Sequence, residues 1–119
     1  MAAIALNKFR TIRVGITTNM VGIYTCPIGV ASIIILSQVT NVSSGSSSYT
    51  VSAVHSRDLP TEPKADYTFV NQAPVPPNDS LSLVSDGRLA LETNDVLKIQ
   101  GSDNGVLELL LSVLETAKQ

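Results

Sequence analysis

The chain has 119 residues, of which 15% are charged against 44% hydrophobic, and a formal net charge of -2. That length makes one domain able to bury roughly 65% of its unfolded surface without staples. Eight scattered Lys and Arg without interleaved aromatics argue against a nucleic-acid partner, one cysteine excludes an internal disulfide, and no segment approaches the ~20 apolar residues of a membrane helix. The start, MAAIALNKFR, lacks a basic region ahead of its apolar block and does not read as a signal peptide.

Taken in order, the elements read as strands. Met1 to Lys8 is an apolar arm without a strand partner of its own, and the remaining residues, 9–119, form the domain. A first strand is predicted at Phe9 to Thr17 and a second at Gly22 to Cys26, ending at Pro27, which cannot donate to a central ladder. The third, Val30 to Val42, follows a Pro27-Ile28-Gly29 corner. Ile33, Ile34, Ile35 and Leu36 stand in a row within it, so both faces are expected to be covered, each such side chain gaining roughly 1.5–3 kcal/mol on burial. Its later half turns polar at Ser37, Gln38, Thr40 and Asn41, and is expected to leave the core for water.

Ser43 to Ser48, SSGSSS, reads as a polar hairpin tip. Tyr49 to Arg57 is the fourth strand, with Tyr49, Val51, Ala53 and His55 on one face. Asp58 to Lys64 is a Pro-stiffened loop, Tyr67 to Asn71 the fifth strand, and Ala73 to Asp79 a Pro-rich connection. Leu81 and Leu83 alternate with serines, Asp86-Gly87 is a tight-turn dipeptide, and Leu89 and Leu91 alternate again. Val96 to Gln100 and Val106 to Glu115 complete the set. The last carries Leu107, Leu109, Leu111 and Val113 on one face and Leu110 and Leu114 on the other; a helix over Leu107 to Lys118 is its rival, since Leu and Glu favour helices. About eight or nine short strands separated by turns describe an all-β, single-domain antiparallel β-sandwich, jelly-roll or immunoglobulin-like.

Residues that could carry chemistry do not assemble into a motif. His55 has no Cys, His or paired carboxylate at ligand spacing, and Cys26 has no oxyanion-hole element beside it, so both read as structural and no catalytic, metal or cofactor site is expected. A Cys26–His55 hydrolase would lose its activity on Cys26→Ala. Asp86, Glu92, Asp95, Asp103, Glu108 and Glu115 crowd the last third, yet glycoside hydrolysis needs an aromatic-lined cleft, and the chain has three Tyr, two Phe and no Trp. Ser102-Asp103-Asn104-Gly105 lacks EF-hand spacing and reads as a turn rather than a calcium loop. The sequons at Asn41 and Asn78 matter only in a secretory pathway.

The string Ile23-Tyr24-Thr25-Cys26-Pro27-Ile28-Gly29-Val30-Ala31-Ser32-Ile33 resembles the LYTVPAGKTAxV strand-corner-strand pattern of small β-sandwich virion structural proteins of tailed bacteriophages. Leu91-Glu92-Thr93-Asn94-Asp95-Val96-Leu97 is similar to their LEAGDxI element, and Ser112-Val113-Leu114-Glu115 to their closing SYLE strand. Ile28 replaces the usual Ala, and Asn94 the turn Gly. The resemblance implies a non-enzymatic structural protein of a phage particle, made in the host bacterial cytoplasm. It would sit in many copies on the capsid surface as decoration, or at the neck or tail. Its partners would be copies of itself, in trimers or rings, and other virion proteins. A tail-fibre module binding a receptor or glycan is the alternative. Ile4, Leu6, Phe9, Ile34 and Leu36 are the expected assembly residues.

Overall fold

The computed structural model describes residues 7–57, 61, 65–84 and 88–117. It contains nine strands among those residues: β1 (Asn7–Gly15), β2 (Val21–Thr25), β3 (Val30–Asn41), β4 (Tyr49–Ser56), β5 (Asp66–Val75), β6 (Ser80–Ser82), β7 (Leu89–Leu91), β8 (Val96–Gly101) and β9 (Leu107–Ala117). Asn7 and Lys8, expected in the N-terminal arm, open β1 opposite Thr116 and Glu115, and residues 1–6 lie outside the described residues. The helix considered for the C-terminal segment is a strand: odd-numbered Leu107 to Val113 are buried and even-numbered residues face outward, a period of two that a helix cannot satisfy.

The strands form two antiparallel sheets. The β9 sheet has the order β1-β9-β3-β6, with β7 also on β3, and the β8 sheet has the order β2-β8-β4-β5. The chain behaves as one long hairpin: β1 pairs β9, β2 pairs β8, β3 pairs β6 and β7, and β4 pairs β5. Rolling that ribbon adds the β3·β9 and β4·β8 ladders. Among the two sandwiches expected, this connectivity selects the jelly roll.

Inner faces of both sheets supply the core. Ile34, Val39, Leu107, Leu109, Leu111 and Val113 come from one; Tyr24, Val51, Ala53, Val75, Leu97 and Ile99 come from the other. At roughly 1.5–3 kcal/mol for each large apolar side chain removed from water, this interior is the main source of stability.

The third strand departs from its expected pattern. Its pairing with β9 shifts register between Ile34 and Leu36, leaving Ile35 as an extra residue. Such a bulge puts two consecutive side chains on one side. Ser32 and Ile34 point inward before it, and Ser37, Val39 and Asn41 after it, whereas Ile35 and Leu36 are 43% and 39% exposed. The apolar run is thus covered on one face only. Nor does the polar half leave the core, because β3 stays paired through Asn41↔Leu107. Its inward polar groups are satisfied instead: Ser37 Oγ accepts from the Val84 amide at 3.0 Å, and Asn41 Nδ2 donates to the Ser47 and Val75 carbonyls at 3.1 and 3.0 Å.

Two connections also differ from expectation. SSGSSS is a crossover, since β3 and β4 lie in different sheets. The Ser43 amide and hydroxyl both donate to Asn41 Oδ1, fixing where the chain leaves. The start of the Pro-rich connection is strand, with Ala73 to Val75 inside β5. Pro74 is tolerated there because β5 is an edge. The Asp86-Gly87 turn lies outside the described residues.

Candidate assembly surface

The outer face of the β9 sheet is ordered in rows across its strands. Cross-strand register aligns Phe9, Leu114, Ile33 and Ala90; then Thr11, Ser112 and Leu36; then Arg13, Leu110 and Gln38; then Gly15, Glu108 and Thr40. One end is apolar and the other polar. Phe9 is 71% exposed, with Leu36 at 39% and Leu110 at 40%. At the polar end, a groove of about 630 Å³ is lined by Arg13, Gly15, Gln38, Thr40, Glu108 and Leu110 among others. Nothing among the described residues covers this face. A contiguous apolar patch rimmed by polar residues is the usual mark of a protein contact.

The expected assembly residues separate. Phe9 and Leu36 lie on this open face. Ile34 is corrected: at 1% exposure it belongs to the core, because the bulge turns it inward and Leu36 outward, whereas plain alternation would have put both on one side. Ile4 and Leu6 lie outside the described residues. Sequence reasoning missed Ile33, Ile35, Leu110 and Leu114 as members of the same surface. Leu110 and Leu114 were visible as the second face of the last strand; Ile35 required the bulge.

The polar side chains that could have made a catalytic site are bonded into the scaffold. Asp95, 1% exposed, precedes β8 in the turn from Glu92, where Asn94 takes a left-handed φ of 71°. Its Oδ1 accepts from Arg57 Nε at 2.8 Å; its Oδ2 accepts from Arg57 Nη2 at 2.7 Å, His55 Nε2 at 2.9 Å and the Glu92 amide at 2.9 Å. Burial alone would raise its pKa, but the Arg57, Glu92 and His55 hydrogen bonds outweigh it and hold the carboxyl at about 2. Glu92 meets Arg57 Nη2 at 2.9 Å. His55 is therefore a turn anchor.

A second buried group lies between the sheets near the same end of β2. Tyr24 donates to Glu115 Oε2 at 2.5 Å and shares a 2.7 Å hydrogen bond with Ser32 Oγ, while Arg10 Nη1 reaches the same Glu115 oxygen at 3.5 Å. Burial, then the Glu115 hydrogen bond, push the Tyr24 phenol well above its ordinary value. Cys26, fully buried, makes a 3.3 Å contact with Ser32 Oγ and donates toward the Val30 carbonyl at 3.2 Å. Among the described acidic residues of the last third, Glu92 and Asp95 share Arg57, whereas Glu115 bonds Tyr24 and Arg10. His55 bonds Asp95 and Cys26 bonds Ser32, so no nucleophile–base dyad forms.

Cys26 should accordingly resist thiol reagents. We expect labelling at least about 100-fold slower in native buffer than in denaturant, and Cys26→Ala to cost about 1 kcal/mol, read by reagent kinetics and urea titration. The side chains of the Ser102–Gly105 turn accept from backbone amides: Asn104 Oδ1 from Thr18, Asp103 Oδ1 from Asn104 and Ser102 Oγ from Thr50. Among the described residues no cluster of metal-ligating side chains occurs.

No protein-family model matches the chain, and the curated proteins contain no match to it. Two solved structures resemble it along nearly their whole lengths. One is from Bacillus endospore appendages, a family of disulfide-linked pili, with TM-score 0.56 and 13% identity, covering 100% of this chain and 98% of that one. The other is from the acid-stable capsid of Helicobacter pylori bacteriophage KHP30, with TM-score 0.52 and 12% identity, covering 97% of this chain and 90% of that one. At such identities the likeness is one of fold. This chain is therefore similar in fold to proteins of two multi-copy assemblies.

Proposed function

We propose that this chain is a non-enzymatic structural protein of a bacteriophage particle, present in many copies at the capsid surface, neck or tail and made in the host cytoplasm. The observation that carries the proposal is the open apolar face of the β9 sheet, Phe9, Leu114, Ile33 and Leu36, on a fold whose buried polar side-chain atoms, among the described residues, all have hydrogen-bond partners. Phe9 and Leu36, together with Ile4 and Leu6 of the N-terminal arm, are its contact residues toward copies of itself and other virion proteins. The resemblance of Ile23 to Ile33 to phage virion proteins and the fold likeness to a phage capsid chain support the same reading. A disulfide-linked fibre is not favoured, since the sole thiol, Cys26, is buried.

Light scattering and negative-stain microscopy of the purified chain test it, together with mass identification in fractionated heads and tails. Multi-copy particles, or binding to isolated capsids or tails, are expected. A monodisperse monomer that binds neither, or one that binds a glycan array instead, would overturn the reading.

A further inference from the structure

The four sheet edges differ in what they can accept. An edge strand presents a row of unpaired amides and carbonyls, and proteins blunt it with short strands, bulges or proline. β2 has five residues and a register shift at Ile23. The opposite edge of the β9 sheet is broken into β6 and β7, of three residues each. β5 carries two register shifts, Gln72 at φ 49° and Pro74. β1 differs from all three. It runs nine residues, every one in unbroken register with β9, without proline, bulge or left-handed residue. Among the described residues, nothing lies along its free side.

We propose that β1 is a docking edge for a second copy of this chain, the two β1 strands pairing antiparallel about a two-fold axis at Thr11. This rests on the reading of the protein as a multi-copy structural subunit. The occupant follows from the other edges: a second copy offers only one long regular edge strand among its described residues, β1 itself. Self-pairing of one strand generates an isologous two-fold contact.

The full-length register is centred on Thr11 and sets Asn7 opposite Gly15, Lys8 opposite Val14, Phe9 opposite Arg13, and Arg10 opposite Ile12. The basic side chains, which would ordinarily guard an edge, then meet no like charge directly across the seam. Arg10 is already held by Glu115. On the outer face Phe9 of each copy gains the guanidinium of the other's Arg13, the geometry of a cation–π pair. That gives the most exposed aromatic of the face a partner and joins the two apolar rows into one surface.

Directly opposed residues place their Cβ atoms about 4.5–5.5 Å apart, close enough for a disulfide after slight adjustment. Thr11→Cys in the full chain should therefore form a covalent dimer under mild oxidation, while Thr68→Cys on the blunted β5 edge should stay monomeric on denaturing gels. Buried Cys26 leaves the readout to the new thiol. Thr11→Lys, exposed and facing its own copy, should weaken self-association roughly tenfold or more with an unchanged circular dichroism spectrum.

If the wild type assembles while Thr11→Cys stays uncrosslinked and Thr11→Lys assembles normally, the β1 seam is overturned and the structural-subunit reading stands. Wild type that is monomeric at every concentration overturns the seam, and failure to bind capsids or tails as well overturns that reading too. Loss of the cross-link when Ile4→Asp and Leu6→Asp are added to Thr11→Cys would put the N-terminal segment in the seam instead, and would also overturn the inference.

Discussion

Asp95→Ala is expected to destabilise the fold by about 3 kcal/mol, a large share of the roughly 5–15 kcal/mol that holds a domain of this size. The carboxylate is buried and takes four hydrogen bonds, two from the Arg57 guanidinium in bidentate geometry and one each from His55 and the Glu92 amide. Removing one partner of a buried ion pair costs roughly 3–5 kcal/mol, mainly because the survivor stays charged and unpaired. Arg57 retains Glu92 and some solvent, which places the cost toward the lower end. The loss also spreads along the backbone. The Cys26 amide donates to the Asp95 carbonyl at 2.9 Å and the Asn94 amide to the Cys26 carbonyl at 2.8 Å, so the turn into β8 is tied to the end of β2. Urea denaturation reads the effect as a lower midpoint at constant slope.

The same residue sets an acid limb. Its folded pKa, about 2, lies below the ordinary 3.8, so the folded state binds its proton less readily than the unfolded chain. Its contribution, about 2 kcal/mol, is complete above pH ~4 and is lost as pH falls from about 4 to 2. Asp95→Ala should flatten that part of the stability profile. An unchanged acid limb in the variant would show that the carboxylate does not anchor the turn. Tyr24 acts in the opposite direction: its raised pKa makes its contribution complete below its ordinary value and lost only as the solution becomes strongly alkaline.

Much of the fold was legible in local sequence because a strand's period is local. The alternation in Leu107 to Val113 assigns β9 and its inward face directly, and Tyr49, Val51, Ala53 and His55 do the same for β4. What alternation does not carry is pairing. The choice between jelly roll and immunoglobulin-like sandwich depends on contacts between β1 and β9, nearly a chain length apart, and SSGSSS looks the same as a tip or as a crossover. Asp95 was visible only as one of several carboxylates. Its role depends on His55 and Arg57 arriving from β4 and its end, about forty residues earlier. The open outer face was half visible, in Phe9 and Leu36, and was blurred where the period slipped.

That slip yields the sharpest test of β3. Ile34→Ala should cost about 3–4 kcal/mol, within the range for truncating buried Ile or Leu, since Ile34 is 1% exposed within a core lined by Val39, Leu91 and Val113. Leu36→Ala, two positions on, should cost under about 1 kcal/mol, because its side chain already meets solvent. Uninterrupted alternation would give the two residues the same environment and similar costs; the bulge at Ile35 makes them differ severalfold. Equal losses in parallel denaturation curves would mean that β3 pairs β9 without the extra residue. In that register Ser37, Val39 and Asn41 would face outward, and Gln38 and Thr40 would enter a core that holds no partners for them. The bulge therefore lets one strand bury Ile34 and Val39 together while leaving Ile35 and Leu36 on the open outer face, so that the core and the proposed contact would draw on the same four-residue apolar run from opposite sides.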